Sequence, residues 1–491
     1  MDMGVTPEAY ATILGITIAY FVIVAVVGVW TKKYVRSLKD WVIGDFPFAI
    51  IFGHMVATLY SGMALIGASG LNYRLGVSAF AELWPVACLL MVSAVFGPRI
   101  WKYARENNLM TIPDLFEHYF GGSKLMRVLA VILVFVTVVI LLIAQWTAVG
   151  IGMSLILGVP YWISVLVGTV IVIAYTFSGG MWAVAVTDLI QFIVFAATVI
   201  VIAAVTIPAF GGLDGILNEL GKIDPKLLEP LGRGAPFIWP YIVTHYAVLF
   251  LGISAHPRMV HRIYSNRKVE YFKWLPLAGV LSFGICFLLP KYVAMAARVA
   301  VAKGLMPTPP TSDWALPYFI YYLTNPLIAG LFLATLFAAC MSTADTLLAM
   351  SAPLFTRDIY QKLINPNVDE KKLLPWTRVS AVVIGVIAMV VAFNPPAIIP
   401  WIVWTSEGLA GCTLGVSLLY MFYAKKLVTK AGVAASIISG LVLALSLGYY
   451  DKFISPLPMN PFFVPLIVSA IICPLVSALT RPKKQQVHSS A

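Results

Sequence analysis

Charge is scarce in this sequence. Of its 491 residues only 11% are Asp, Glu, Lys or Arg, while 60% are hydrophobic. Water-soluble domains carry about 25% charged residues, so this chain has more apolar surface than a globule can bury and takes lipid as the solvent for most of its length. Cysteine is also scarce. Cys88, Cys286, Cys340, Cys412 and Cys473 form an odd set, without paired spacing, inside apolar runs; this argues against a disulfide framework or a thiolate metal centre and for small packing residues. His54, His118, His245, His256, His261 and His488 show no HExxH or comparable spacing, which argues against the zinc chemistry of a membrane hydrolase. No repeated filter motif of the kind channels use is visible either. The first fifteen residues lack a basic segment and a small-residue cleavage site, so the first apolar run is expected to remain as a helix.

What is present is a series of apolar runs of the length that crosses a bilayer, about 20 residues each. Spans are expected at 7–30, 46–71, 77–101, 124–157, 160–177, 182–210, 237–254, 274–299, 326–352, 376–395, 397–423, 428–448 and 460–480. This is an all-α membrane protein of about thirteen transmembrane helices. The whole chain reads as one transporter domain: a leading helix at 7–30, a ten-helix core over about 46–423, and two C-terminal helices. The net charge of +12 would suit a nucleic-acid partner, but its placement says otherwise. With the N-terminus outside, the segments near 31–40, 99–127, 256–273, 357–378, 425–430 and 481–484 all fall on one side and hold 25 of the 33 basic residues. That asymmetry places the N-terminus outside and the C-terminus in the cytoplasm of a multi-pass cell-membrane protein. No nucleic acid is then needed to explain the charge.

Two runs carry polar groups at mid-membrane depth. The stretch GHMVATLYSGMALIGASG sets Gly53, Gly62, Gly67 and Gly70 beside Thr58 and Ser61, a composition that weakens a helix where lipid tolerates a break only if the freed backbone lines a cavity or is buried in protein. Close helix packing through small residues accounts for the same glycines. In LFLATLFAACMSTADTLLAMSAPLFTRDIY, Ser342 and Thr343 place two hydroxyls side by side, with the Ala339 carbonyl one turn before them. Neutral hydroxyls and unwound carbonyls suit a hard sodium ion; the same hydroxyls can instead bond back to the preceding turn.

The motifs MSTADTLL with FTRDIY, YTFSGGMWAVAVTDLIQ at 175–191, TIPDLFEHYFG at 111–121, SGMALIGASGLNYRLG at 61–76 and HPRMVHRIYS at 256–265 follow one another in order. Together they resemble the sodium/solute symporters, the family of proline, pantothenate, sialic acid and sugar cotransporters. The resemblance implies a leucine-transporter-type fold, two inverted five-helix repeats with extra flanking helices, although the sequence itself shows no clear internal repeat. It also implies a secondary active symporter, not an enzyme, that imports a small organic solute with Na+. Its shared sodium site maps onto the carbonyls of Ala57, Tyr60 and Ala339 and the hydroxyls of Ser342 and Thr343. Asp188 matches an acidic position that relatives use for sodium coupling or a second sodium, and Asp345 stands near the sodium hydroxyls.

Substrate class is read from fewer residues. Relatives that carry proline have an acidic residue where this chain has Leu59, and an aromatic pair where it has Leu249 and Ile253. The run AFNPPAIIPWIVWTSEGLAG at 392–411 is similar to the pantothenate and monocarboxylate branches, so a carboxylate-bearing solute is expected, with an amino acid of the proline type or a sugar as alternatives. A polytopic membrane enzyme or sensor is the alternative from another class. Thr58, Ser61, Gln145, His245, Thr405, Ser406 and Glu407 are polar groups able to face a central cavity; each has a packing explanation too. Glu407 stands out because an intramembrane carboxylate is costly without water or a partner. Lys291 is expected to snorkel or pair, not to meet substrate.

Overall fold

In a computed structural model, residues 6–35, 37–57, 59–81, 84–230 and 238–481 are described. Every named element among them is helical. Among the described residues nine helices are long and apolar enough to cross a membrane by length and composition, and they fall on nine of the expected spans. Shorter apolar helices, Phe48–Ala57, Tyr161–Ala174 and Trp239–Ala255, fall on three more. The expected span 77–101 takes the form of Trp84–Met91, a π-helical turn at Val92–Phe96, and Gly97–Glu106.

The middle of the molecule is Pro326–Ser351, here called the central helix. Asn325 caps it, its Oδ1 accepting the Ile328 amide at 2.9 Å ahead of Pro326 in the first turn, an arrangement that satisfies an orphan N–H and preorganises the helix start. From Phe332 onward every residue of this helix is buried, as expected of a helix that is apolar on all sides. Small residues let its neighbours approach closely, which is how helices associate once all are in lipid. A Cβ on Gly330, for example, would lie 2.8 Å from Ile16 Cδ1 of the leading helix.

That leading helix, Pro7–Thr31, shows how sequence pattern becomes position. Ile13, Thr17, Tyr20, Val24, Gly28 and Thr31 recur at three- and four-residue intervals and are buried. Ile18, Val22, Ile23, Val26 and Val29 on the other side are exposed. An apolar helix with one packed stripe and an exposed apolar face has lipid as its outer solvent. At the other end of the chain, Lys430–Phe453 packs on Phe463–Thr480, and Ser436 Oγ donates to the Ser469 carbonyl at 2.8 Å.

The expected spans 160–177 and 182–210 are two helices that meet at Gly180, where the backbone leaves helical geometry with φ +56° and ψ −157°, and the second of them runs Gly180–Ala209. A Cβ at Gly180 would stand 2.5 Å from Trp41 Cδ1, so both backbone angle and space call for glycine.

Two of the sequence motifs meet in a buried ion cluster. Arg127 Nη2 reaches Asp114 Oδ1 at 2.6 Å, Arg127 also pairs with Glu117, and Arg357 Nη1 reaches Asp114 Oδ2 at 2.7 Å. Asp358 Oδ1 accepts from Arg127 Nη1 and from Thr111 Oγ1 at 2.9 Å. TIPDLFEHYFG is therefore tied to FTRDIY by charge. Burial opposes the Asp114 carboxylate, but Arg357 and Arg127 outweigh it and hold its pKa down at about 2. The five cysteines are buried and unbridged.

Candidate sodium site at a broken helix

The glycine-rich run at 53–70 is a broken helix. Phe48–Ala57 ends, the chain turns through Leu59 to Ser61, and a π-helical turn at Met63–Gly67 leads into Ala68–Leu75. Leu59 N bonds Val56 O at 3.0 Å and Tyr60 N bonds Ala57 O at 3.1 Å, three-residue contacts in place of the helix's four-residue ones. Gly62 is needed where the chain restarts, since a Cβ there would lie 2.5 Å from Ala148 Cβ. A second helix breaks at His256, between Trp239–Ala255 and Pro257–Tyr264, where ψ is 139°.

The central helix passes the first break with its hydroxyl pair. Ser342 Oγ lies 3.0 Å from Ala339 O, 3.2 Å from Ala57 O and 3.5 Å from Tyr60 O. A hydroxyl has one proton and can serve one of three acceptors at a time. Bonding back to its own turn explains Ala339 but not two carbonyls from another helix. Thr343 Oγ1 is buried without a hydrogen-bond partner among the described residues, whereas Thr137, Thr147, Thr176 and Thr187 each bond the carbonyl four residues back. Three carbonyls and the Ser342 hydroxyl, all neutral, are thus gathered where a hard monovalent cation can be ligated, with the Thr343 hydroxyl buried on the next residue.

The other candidates divide into those at the break and those apart from it. Gln145 is at the break, with Oε1 accepting the Gly62 amide at 3.0 Å; Ser61 Oγ accepts the Met63 amide at 3.2 Å. Thr58 lies outside the described residues. Asp188 and Asp345 are both fully buried. Asp188 Oδ2 meets His54 Nδ1 at 2.6 Å and Arg262 Nη2 at 3.3 Å. Asp345 Oδ1 accepts the Thr346 amide at 2.6 Å, and its Oδ2 has no partner among the described residues.

Glu407 and Ser406 engage the second break. Arg258 Nη2 reaches Glu407 Oε1 at 2.6 Å. His256 accepts the Arg258 amide at 3.3 Å through Nδ1, so a neutral ring carries its proton on Nε2 and donates to Ser406 Oγ at 3.1 Å, which in turn donates to Thr137 O at 2.6 Å. His245 Nδ1 stands 2.9 Å from Asn460 Nδ2 and its ring packs edge-on to Trp404. Thr405 bonds Trp401 O at 2.8 Å. Lys291 is buried, donating to Ala79 O at 3.1 Å with its ammonium over the Phe287 ring.

The profile of the sodium:solute symporter family matches residues 43–440. The chain belongs to this family. The symporter is 27% identical over 400 residues to the sodium/pantothenate symporter of Haemophilus influenzae, covering 78% of each chain. It is 25% identical over 483 residues to the osmoregulated proline transporter OpuE of Bacillus subtilis, covering 95% of this chain and 94% of that one. Against the sodium/proline symporter of Haemophilus influenzae it is 28% identical over 453 residues. Its fold matches that of a Na+-coupled sialic acid symporter solved in a substrate-bound, outward-open state, with a TM-score of 0.80 over 96% of this chain and 99% of that one at 18% identity. The leucine-transporter-type fold, the transporter class and sodium as coupling ion all stand as the motifs implied.

The symporter's candidate residues also have buried partners that its sequence did not disclose. Arg258 and Arg262 sit in HPRMVHRIYS, a basic stretch that reads as a cytoplasmic loop, yet both are buried. Their partners are distant in sequence, so only the charge cost of burying an unpaired carboxylate at Asp188 or Glu407 hinted that bases must come to them.

Proposed function

We propose that this symporter takes a small carboxylate-bearing solute into the cell with sodium held by the carbonyls of Ala57, Tyr60 and Ala339 and the hydroxyls of Ser342 and Thr343. The observation that carries the ion site is the single Ser342 hydroxyl facing three carbonyl oxygens from two helices. The solute is assigned to the same break. The Gly62 amide begins the second half of the broken helix and is held by Gln145 Oε1; a carboxylate there gains the helix-start N–H groups and the positive end of the dipole. Pantothenate, proline and sialic acid, named for the relatives above, all bear a carboxylate. Leu59, Leu249 and Ile253 are apolar where the resemblance puts acidic and aromatic groups in proline carriers, which favours a pantothenate- or monocarboxylate-like solute over proline or a sugar. Asp188 and Asp345 take the coupling role, and Thr58, Ser61, Gln145, His245, Thr405 and Ser406 the substrate-side role; Glu407, the other polar candidate, is held in its ion pair with Arg258.

The transport unit is proposed to cross the membrane thirteen times with its N-terminus outside, which the distribution of lysine and arginine supports. A thermal-shift screen of small carboxylates, amino acids and sugars, in sodium and in potassium, tests the substrate class. Stabilisation by carboxylates in sodium alone is expected; stabilisation by neutral sugars without any response to carboxylates would overturn the assignment.

A further inference from the structure

Arg262 is wholly buried on the short helix Pro257–Tyr264 and reaches three other helices at once. Its Nη2 donates to Thr346 Oγ1 at 2.7 Å, to the Ser342 carbonyl at 3.3 Å and to Asp188 Oδ2 at 3.3 Å, while Nε donates to the His54 carbonyl at 3.0 Å. A carboxylate, a hydroxyl and a backbone carbonyl converging in a buried space are a ligand set for a hard cation. Here a guanidinium, always charged and planar, stands among them.

Two consequences follow from the geometry. The space beside Asp188 already holds a positive charge, and a free ion entering it would face that charge at contact range in a medium that screens poorly. The same guanidinium also spans the two walls of the sodium site. His54 is three residues before Ala57 on the first half of the broken helix, and the Ser342 carbonyl belongs to the residue whose hydroxyl faces Ala57.

We infer that Arg262 is a built-in cation that fills the pocket of Asp188, Thr346 and the Ser342 carbonyl, limiting the symporter to one sodium ion and holding the walls of that ion's site in register. This rests on the assignment of sodium to Ser342 and Thr343. Arg262 is thus a positioning residue, because it acts on the ion through the groups it holds.

The test is binding of radiolabelled sodium alone to the purified full-length protein in lipid nanodiscs. The wild type should bind one sodium per chain. Arg262→Ala should weaken that site about tenfold, the loss of a charge-assisted contact, and gain a second, Asp188-dependent sodium that Arg262→Ala with Asp188→Asn lacks. Millimolar guanidinium should displace the second ion and restore the first site, a rescue that a general packing defect would not show. Arg262→Lys keeps the charge and should stay at one sodium, so the inference remains testable if the alanine variant does not fold. Two sodium ions in the wild type, a second in Arg262→Lys, or an Arg262→Ala isotherm unchanged in number and midpoint would overturn it. Ser342→Ala in the same assay separates the two ideas: an unshifted isotherm there removes the sodium assignment, whereas the wild-type stoichiometry still reports on Arg262.

Discussion

Ser342 Oγ lies 3.2 Å from the carbonyl oxygen of Ala57, 285 residues away in sequence. The contact joins the central helix to the end of the first half of the broken helix, and any movement that parts these two helices would also open the ligand shell proposed for the ion. Ion occupancy and helix arrangement are therefore linked. By reciprocity, whatever tightens one must tighten the other, the thermodynamic content of coupling sodium to solute.

Orientation is the simplest expectation to check. All five native cysteines are buried, so single added cysteines can be labelled against a low background. With the N-terminus outside, Lys222→Cys should react with an impermeant maleimide on whole cells, and Lys426→Cys only after permeabilisation. The reverse pattern would sink the proposed topology.

Gln145 offers a charge test of the solute site. Gln145→Glu keeps the shape but sets a fixed carboxylate against the Gly62 amide, and like charges brought together in a site cost several kcal/mol. Affinity for a carboxylate solute, read by thermal-shift titration in sodium, should fall at least about tenfold. Gln145→Leu removes the competitor and should not produce that loss. Equal binding by the Glu variant would place the carboxylate elsewhere.

Glu407 is expected to be structural in effect. Removing one partner of a buried ion pair leaves the other uncompensated, at about 3–5 kcal/mol, so Glu407→Ala should strongly lower the unfolding temperature by stranding Arg258. Arg258→Met with Glu407→Leu should regain most of that stability. A Glu407→Ala protein that unfolds normally but no longer binds solute would instead make Glu407 a substrate ligand.

The account of the sequence bears on these expectations. Ser342 and Thr343 stood out as paired hydroxyls in an apolar helix, but it was the family resemblance that made them the proposed ion site; the broken run at 53–70 was signalled because glycine weakens helices at a depth where lipid forbids free backbone. The carbonyls of Ala57 and Tyr60 carry no side-chain signal and came only from the family resemblance. Arg262 was hidden for another reason. A basic helix next to a membrane end looks solvated, and its burial depends on Asp188, 74 residues before it, and Thr346, 84 residues after it. The spans at 160–177 and 182–210 read as separate because Gly179 and Gly180 interrupt the apolar run, and the backbone does leave helical geometry at Gly180 between them.

Asp313 gives stability a pH dependence. It lies outside the spans, buried, with Oδ2 accepting the Ile399 amide at 2.8 Å and Oδ1 without a partner among the described residues. Burial raises its pKa to about 6 from the ordinary 3.8, against the Ile399 amide and Arg74, which lower it. The folded protein thus holds this proton more tightly than the unfolded chain. The cost of ionising Asp313, up to about 3 kcal/mol, is fully present above pH 6 and is relieved as pH falls toward 3.8. The unfolding temperature of the wild type should therefore carry an Asp313 contribution that rises from pH 7 to pH 5. Asp313→Asn keeps an acceptor for Ile399 and should remove that contribution; identical pH slopes in the two proteins would contradict the reading.

The central claim is that the two hydroxyls of the central helix ligate the coupling ion, and the most direct test is the sodium-binding isotherm of Ser342→Ala and of Thr343→Ala beside the wild type. Losing one neutral ligand to a buried cation is comparable to losing a hydrogen bond to charge, about 1.5–3 kcal/mol, so half-saturating sodium should rise roughly tenfold to a hundredfold in each variant. Well-folded variants whose isotherms overlie the wild type would show that Ser342 and Thr343 serve only their own helix.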